Sequence, residues 1–199
     1  MIDTAAIILA AGKSRRLNGG IKQLLVFRNK TLLQHTIDEC LSAGVSTIIV
    51  VTGANAGVIE DSMSNSEVHI VFNENWEQGK ASGIKAGVRV VAEKHTHINQ
   101  AIITACDQPF VSAALYSQLY ETQLVSGKPI VASTYEGTVG VPALFSKEYF
   151  NQLMSLEGEE GAKKIFKTNP HDLTTVAFPQ GDIDIDTPED YAELLKMNL

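Results

Sequence analysis

The chain has 199 residues, 44% hydrophobic and 20% charged, an ordinary globular composition with enough length for a sizeable core. A net charge of −7 argues against non-specific nucleic-acid binding, so any affinity for anions has to be local. The two cysteines, Cys40 and Cys106, are far apart and lack metal-ligand spacing, which argues against a disulfide framework and for a reducing compartment.

Residues 5–9 form an apolar run, predicted as a buried strand. It is too short to cross a membrane and has no basic residue ahead of it. Arg15-Arg16 follow the run, whereas a twin-arginine export signal precedes one, so a cytoplasmic protein without a membrane partner is expected. After the strand the chain turns small and basic. Gly12, Gly19 and Gly20 are predicted to allow left-handed turns and close approach to a ligand. Successive backbone N–H groups in such a loop make an anion-binding concavity, and Lys13, Arg15, Arg16 and Lys22 surround it. A phosphate-bearing ligand is the expectation. Neither common phosphate loop fits: a P-loop needs glycine where Ile7 stands, and the dinucleotide fingerprint needs glycines at Ser14 and Leu17.

The spacing then predicts a helix over 30–44, with Leu33, Ile37, Cys40 and Leu41 on one face and Gly44 as its stop. Residues 47–52 are a β-branched run that suits a strand of a parallel sheet. A short helix over 58–63 and a strand over 68–72 follow. A polar turn, 73–79, carries the single Trp76 and leads into a helix with Ile84, Val88 and Val91 inward. Ser82, near that helix start, either contacts a base or phosphate or simply caps the helix. Residues 101–105 are the fourth strand, ending in Cys106-Asp107-Gln108-Pro109. Ligands of open parallel sheets sit beyond the carboxyl ends of the strands, so Asp107 belongs on the edge of the basic loop. A carboxylate beside phosphates needs a cation between them, and Mg²⁺ is suited to one or two carboxylates plus phosphate oxygens. Cys106 reads as core, since no histidine lies within its motif to activate it.

A helix over 115–124, a strand over 128–134 and a turn at 135–137 come next. Pro142 marks 140–145 as an edge or irregular strand. A short helix over 149–153 precedes 157–163, where Glu159 and Glu160 read as a solvated helix start. After a strand over 173–178, aspartates and isoleucines alternate, which puts Asp182, Asp184 and Asp186 on one face of an extended segment. Three like charges on one face argue for a cation or the basic loop nearby. Thr187 caps a final helix, with Pro188 in its first turn and Tyr191, Leu194 and Leu195 on its apolar face. His95 and His97 read as solvated rather than as metal ligands.

Leu9-Ala10-Ala11-Gly12-Lys13-Ser14-Arg15-Arg16, followed by Lys22-Gln23, resembles the signature loop of the molybdenum-cofactor and sugar-nucleotide nucleotidyltransferases, the MobA-like NTP transferase family. The segments around Asn73, Trp76, Gly79 and Ser82, around Asp107, from Gly140 to Phe145, and from Asp184 to Asp190 are similar to the family's in order. The resemblance implies an α/β fold: three α/β/α layers, Rossmann-like, around a mostly parallel sheet. It implies a single domain over 1–199, with an NTP-binding N-terminal half and an acceptor-binding C-terminal half. It also implies that Leu9, Ala10, Ala11, Gly12, Lys13, Ser14, Arg15, Arg16 and Lys22 wrap the triphosphate, with Asn73, Gly79 and Ser82 contributing. Arg16, Lys22 and Asp107 are the implied catalytic residues. Asp107 and Asp186, with Asp184 as the alternate, are the implied Mg²⁺ ligands. Ala10-Ala11-Gly12 and Lys22-Gln23-Leu24-Leu25 look more like the cytidylyltransferase branch than the guanylyltransferases. CTP and a phosphorylated acceptor such as molybdopterin are the implied partners. A guanylyltransferase, a sugar-1-phosphate nucleotidyltransferase and a non-catalytic nucleotide-binding module are the alternatives.

Overall fold

A computed structural model describes residues 2–63 and 68–197. Strand β1 (Ile2–Leu9) lies inside the sheet, parallel to β4 (Val45–Thr52) on one side and to β6 (Gln100–Ala105) on the other. Ala5, Ala6, Ile7 and Ile8 are all fully buried, as a strand covered on both faces requires. Strand β5 (Val68–Phe72) adds in parallel outside β4. Beyond β6 come β8 (Thr138–Ser146), β7 (Ile130–Tyr135) and β9 (Leu173–Ala177), giving seven strands in the order β5-β4-β1-β6-β8-β7-β9. Only β8 opposes its neighbours, because a tight turn at Glu136-Gly137 folds it back on β7.

Alternation along the strands divides the core into two layers. Ala5 and Ile7 pack with Val88 and Val91 of α3 (Lys80–Lys94) and with residues of α5 (Phe150–Met154) and α6 (Lys163–Thr168). Ala6 and Ile8 pack against Leu33, Ile37 and Cys40 of α1 (Leu32–Ser42), Ile59 of α2 (Ala56–Ser62) and Leu115 of α4 (Ala113–Ser126). The expected three layers around a mostly parallel sheet are the architecture found. Helix α7 (Pro188–Lys196) stands apart, closing a small cluster of Phe27, Leu32, Ile185 and Leu194.

Three expectations need correction. Residues 30 and 31 are not helical: Lys30–Thr31 is β3, paired with β2 (Val26–Phe27) across a turn in which Arg28 and Asn29 both have positive φ. Thr31 caps α1 instead, its hydroxyl accepting from Gln34 N. The Pro142 strand is irregular but not an edge, since β8 lies between β6 and β7. The ladder jumps from Ala132–Ala143 to Ser133–Gly140, so Val141 and Pro142 sit in a bulge that needs no amide donor. Leu195 is 54% exposed, because the short apolar stripe of α7 is satisfied by Tyr191 and Leu194.

Candidate active site

A cavity of about 840 Å³ opens beyond the carboxyl ends of β1 and β6. One wall is the loop after β1. Its conformation depends on Gln23, which is 1% exposed and lies beneath it. The Gln23 amide donates to the carbonyls of Ala10 (2.8 Å) and Gly12 (3.1 Å), and its oxygen accepts from the Ser14 hydroxyl. That hydroxyl in turn accepts from Lys22 N at 3.0 Å. The clamped loop lines the cavity, and among the described residues no backbone N–H from 11 to 16 donates to a protein acceptor. Such a run of free donors is an anion cradle. The left-handed positions are not those expected. Gly19 has φ +90, but Ser14 and Asn18 supply the others, and neither Gly12 nor Gly20 has positive φ.

The opposite wall explains how residues 79 positions apart come together. Asp107 lies in the turn just beyond β6, and its carbonyl accepts from Ile185 N at 3.0 Å. The Gln108 amide donates to Gly181 O at 2.8 Å, so residues 181–186 hang on the end of β6. Asp190 fixes the far end, its carboxylate accepting from the N–H groups of Asp186 (3.0 Å) and Thr187 (2.7 Å) in the capping box of α7. Two carboxylates therefore converge. Lys22 Nζ lies 2.6 Å from Asp107 Oδ2 and 2.9 Å from Asp186 Oδ1, while the Arg16 guanidinium bonds the other Asp186 oxygen.

These contacts set the ionisation of the site. Burial works against the Lys22 charge, but Asp107 and Asp186 outweigh it and raise its pKa. Burial likewise opposes the Asp186 charge, yet its bond to Lys22 and the nearby Arg16 hold its carboxyl below the usual range. Asp184 shows the reverse: burial, then Asp107 and Asp186, push its carboxyl up. Asp182, Asp184 and Asp186 all line the cavity, on the shared side that their alternation predicts, although the segment joins no sheet.

Of the residues singled out from the sequence, Leu9, Ala11 to Arg16, Lys22, Asn73, Gly79, Asp107 and Asp186 reach this cavity. Ala10 does not: its side chain is in the core, and only its carbonyl takes part, through Gln23. Ser82 does not either. Its hydroxyl donates to Gly79 O and accepts from the Asn73 amide, both at 2.8 Å, and it lines a separate cleft; it accepts from no backbone N–H at the start of α3, so it ties the helix start to the Asn73 turn rather than capping it. Asn73 is spent the same way, its oxygen accepting from Asn75 N. Gly79, at φ +99, has no room for a Cβ, which would meet Gly158 O at 2.6 Å. Glu159 and Glu160 line the cavity ahead of α6 rather than facing solvent alone, and Glu160 pairs with Lys164.

Sequence reasoning gave no role to Gln23 or Gln108. Gln108 is buried, and its Oε1 is the one buried side-chain N or O atom without a hydrogen-bond partner among the described residues. A polar amide beside each charged motif residue, Lys22-Gln23 and Asp107-Gln108, was the available signal. Lys13 stacks its ammonium over Trp76, 5.7 Å from the ring centroid. His95 and His97 lie apart from the cavity, and His95 packs edge-on against His69.

The model of the MobA-like NTP transferase domain matches residues 6–174. The chain is 27% identical over 201 residues to nicotine blue oxidoreductase of Paenarthrobacter nicotinovorans, covering 95% of each chain. To the molybdenum cofactor cytidylyltransferase of Escherichia coli it is 26% identical over 186 residues, covering 93% of this chain and 92% of that one. Rv0371c of Mycobacterium tuberculosis superposes with a TM-score of 0.84 at 29% identity over 98% of both chains, and its complex with manganese with 0.79 at 27% over the same shares. A family-model match over residues 6–174, most of the chain, places it: this protein belongs to the MobA-like NTP transferase family.

Proposed function

We propose that the chain transfers a nucleoside monophosphate, CMP from CTP, to a phosphorylated acceptor such as molybdopterin, releasing pyrophosphate. The observation that carries this reading is the convergence of Asp107 and Asp186 on one cationic centre, in the same cavity that the loop of residues 11–16, with its unpaired amides, lines. In this reading the N-terminal half of 1–199 binds the nucleotide and the C-terminal half the acceptor, within a single domain.

The donor set fits a hard divalent cation such as Mg²⁺. Two carboxylate oxygens already share one positive charge, that of Lys22. Among the described residues, no three His, Cys, Asp or Glu side chains form a protein-only metal site, which suits an ion that completes its shell with phosphate oxygens and water. Asp107 and Asp186 would hold it, and Asp184 stands beside them. A structural relative in complex with manganese supports the same choice. Bound there, Mg²⁺ neutralises triphosphate charge and polarises the phosphoryl oxygens.

The residues of the chain position and neutralise. The loop amides hold the phosphate oxygens, and Arg16 and Lys22 balance the charge that develops on the α-phosphate. An acceptor phosphate oxygen bonds to the α-phosphorus, and the bond to the bridging oxygen breaks. Pyrophosphate leaves with that electron pair. Among the described residues no helix is long and apolar enough to cross a membrane. Separately, the position of Arg15-Arg16 after the first apolar run, not before it, supports the cytoplasm as the compartment of the reaction.

The test is pyrophosphate release with each of the four NTPs, with and without molybdopterin. CTP should exceed GTP by more than about tenfold in kcat/KM, some 1.4 kcal/mol of discrimination. Equal use, or a GTP preference, would reject the cytidylyl assignment and leave the family intact.

A further inference from the structure

The phosphate loop and the carboxylates it faces are already neutralised by one another. Lys22 Nζ touches both Asp107 Oδ2 and Asp186 Oδ1, and its side chain is only 14% exposed. Arg16 holds the remaining Asp186 oxygen. Asp186 therefore has no oxygen free of a cationic partner. The Lys22 backbone is fixed by Ser14 and the Gln23 clamp, so the ammonium can move while its Cα stays in place. A second cation cannot occupy the same two oxygens while the ammonium lies between them, because like charges at that separation repel.

We propose that Lys22 is a tethered cation that competes with the divalent metal for Asp107 and Asp186, so that the metal enters with the triphosphate and not before it. The proposal rests on the nucleotidyl-transfer reading of this site and adds an order of events to it. Free metal has to displace Lys22 with no anion to receive it. A triphosphate brings the anion: Lys22 turns from the carboxylates to the phosphates, and the vacated oxygens meet a cation already carried by the nucleotide. Arg16 makes the same exchange from Asp186. Binding of metal and release of Lys22 are then one coupled equilibrium, and the coupling is reciprocal. A site arranged this way resists filling by stray divalent ions and commits only when nucleotide is present.

The experiment titrates Mn²⁺ alone into the nucleotide-free full chain and follows the paramagnetic resonance of the free ion. Wild type is compared with Lys22→Met, which keeps the length of the stem and removes the charge, and with Lys22→Arg, which keeps the charge. Lys22→Met should bind Mn²⁺ on the order of tenfold more tightly than wild type, and Lys22→Arg should stay close to wild type. Adding CTP without acceptor should abolish the advantage of Lys22→Met. Circular dichroism checks that each variant is folded, and Lys22→Gln gives the same comparison if Lys22→Met is not. Mn²⁺ affinity equal to or below wild type in the folded charge-removing variant would overturn the competition. Absence of pyrophosphate release with every NTP would overturn the nucleotidyl-transfer reading instead, and it leaves the Mn²⁺ comparison standing.

Discussion

At the scale of single residues, Lys22 and Cys106 lie close together yet have opposite chemical prospects. Lys22 keeps its charge because two carboxylates contact it, and in the proposed reading that charge serves the phosphates of the nucleotide. Lys22→Ala should therefore lower kcat by on the order of 10²–10³ with a smaller change in KM for the NTP. Steady-state kinetics at saturating nucleotide check this, and near-normal turnover would show that the side chain is dispensable. Cys106 is buried against Leu9 O, and burial, with Asp107 beside it, pushes its thiol up to about 12. Cys40, buried in α1, also reaches about 12. At pH 8 the thiolate fraction of such groups is roughly 10⁻⁴, so neither cysteine should react with a thiol reagent in the native protein. Unfolding in denaturant should expose both. The sign of the linkage follows: the folded state holds these protons more tightly, so their contribution to stability is complete below about pH 9 and is lost as pH rises towards 12.

Elements position these residues through close approach of backbone to backbone. Helix α3 lies on β1 and β4 at Gly87, where a Cβ would meet Ile7 Cγ2 at 2.3 Å and Val51 Cγ2 at 3.2 Å. Alanine is the better helix former by about 1 kcal/mol, but both contacts are in the packed core, where overpacking costs about 1–3 kcal/mol. Gly87→Ala should thus destabilise. Gly57 in α2 offers the contrast, since a Cβ there meets nothing within 4 Å. Gly57→Ala should stabilise by about 0.4–1 kcal/mol. Chemical denaturation of the two variants measures the opposite signs, and a stabilised Gly87→Ala would mean that α3 can lift from the sheet. The glycine at 87 also explains why α3 lies close enough for Gly79, Lys80 and Gly83 to line the cavity.

For the whole molecule, the decisive arrangement is the meeting of three chain segments at one point: the loop after β1, the end of β6 and the approach to α7. In the proposed reading Asp107 and Asp186, which already share Lys22, hold one divalent cation, so their removal should not be additive. Asp107→Asn and Asp186→Asn should each weaken productive Mg²⁺ binding, and the double variant should cost little more than the worse single. Asp184→Asn should be milder, because Asp184 makes neither of the bonds to Lys22. Mg²⁺ titration of activity in the four variants checks the pairing. An unchanged Mg²⁺ dependence in Asp186→Asn would transfer the second carboxylate role to Asp184.

Much of this was written locally. The apolar run of 5–9, the β-branched run of 47–52 and the helical spacing of Ile84, Val88 and Val91 determine buried strands and an amphipathic helix from periodicity alone. The Thr187-Pro188 start of α7 is equally local, because a cap is made by neighbours in sequence. The family loop and the Asp107 and Asp186 motifs were legible because their residue order is itself the signal. What tertiary structure decided is whatever depends on partners distant in the chain. Pro142 could not be read as interior, since its tolerance comes from a bulge against β7. Ser82 offers a hydroxyl that sequence could assign to a cap or a ligand, and its bonds to Gly79 O and the Asn73 amide are visible only in the fold. Ala10 belongs to the loop that the resemblance wraps around a triphosphate, yet its side chain lies in the core. Gln23, Gln108 and the bridge from Lys22 to two aspartates arise from hydrogen bonds across the fold. A one-dimensional pattern fixes which side chains are available, and only packing fixes which of them meet.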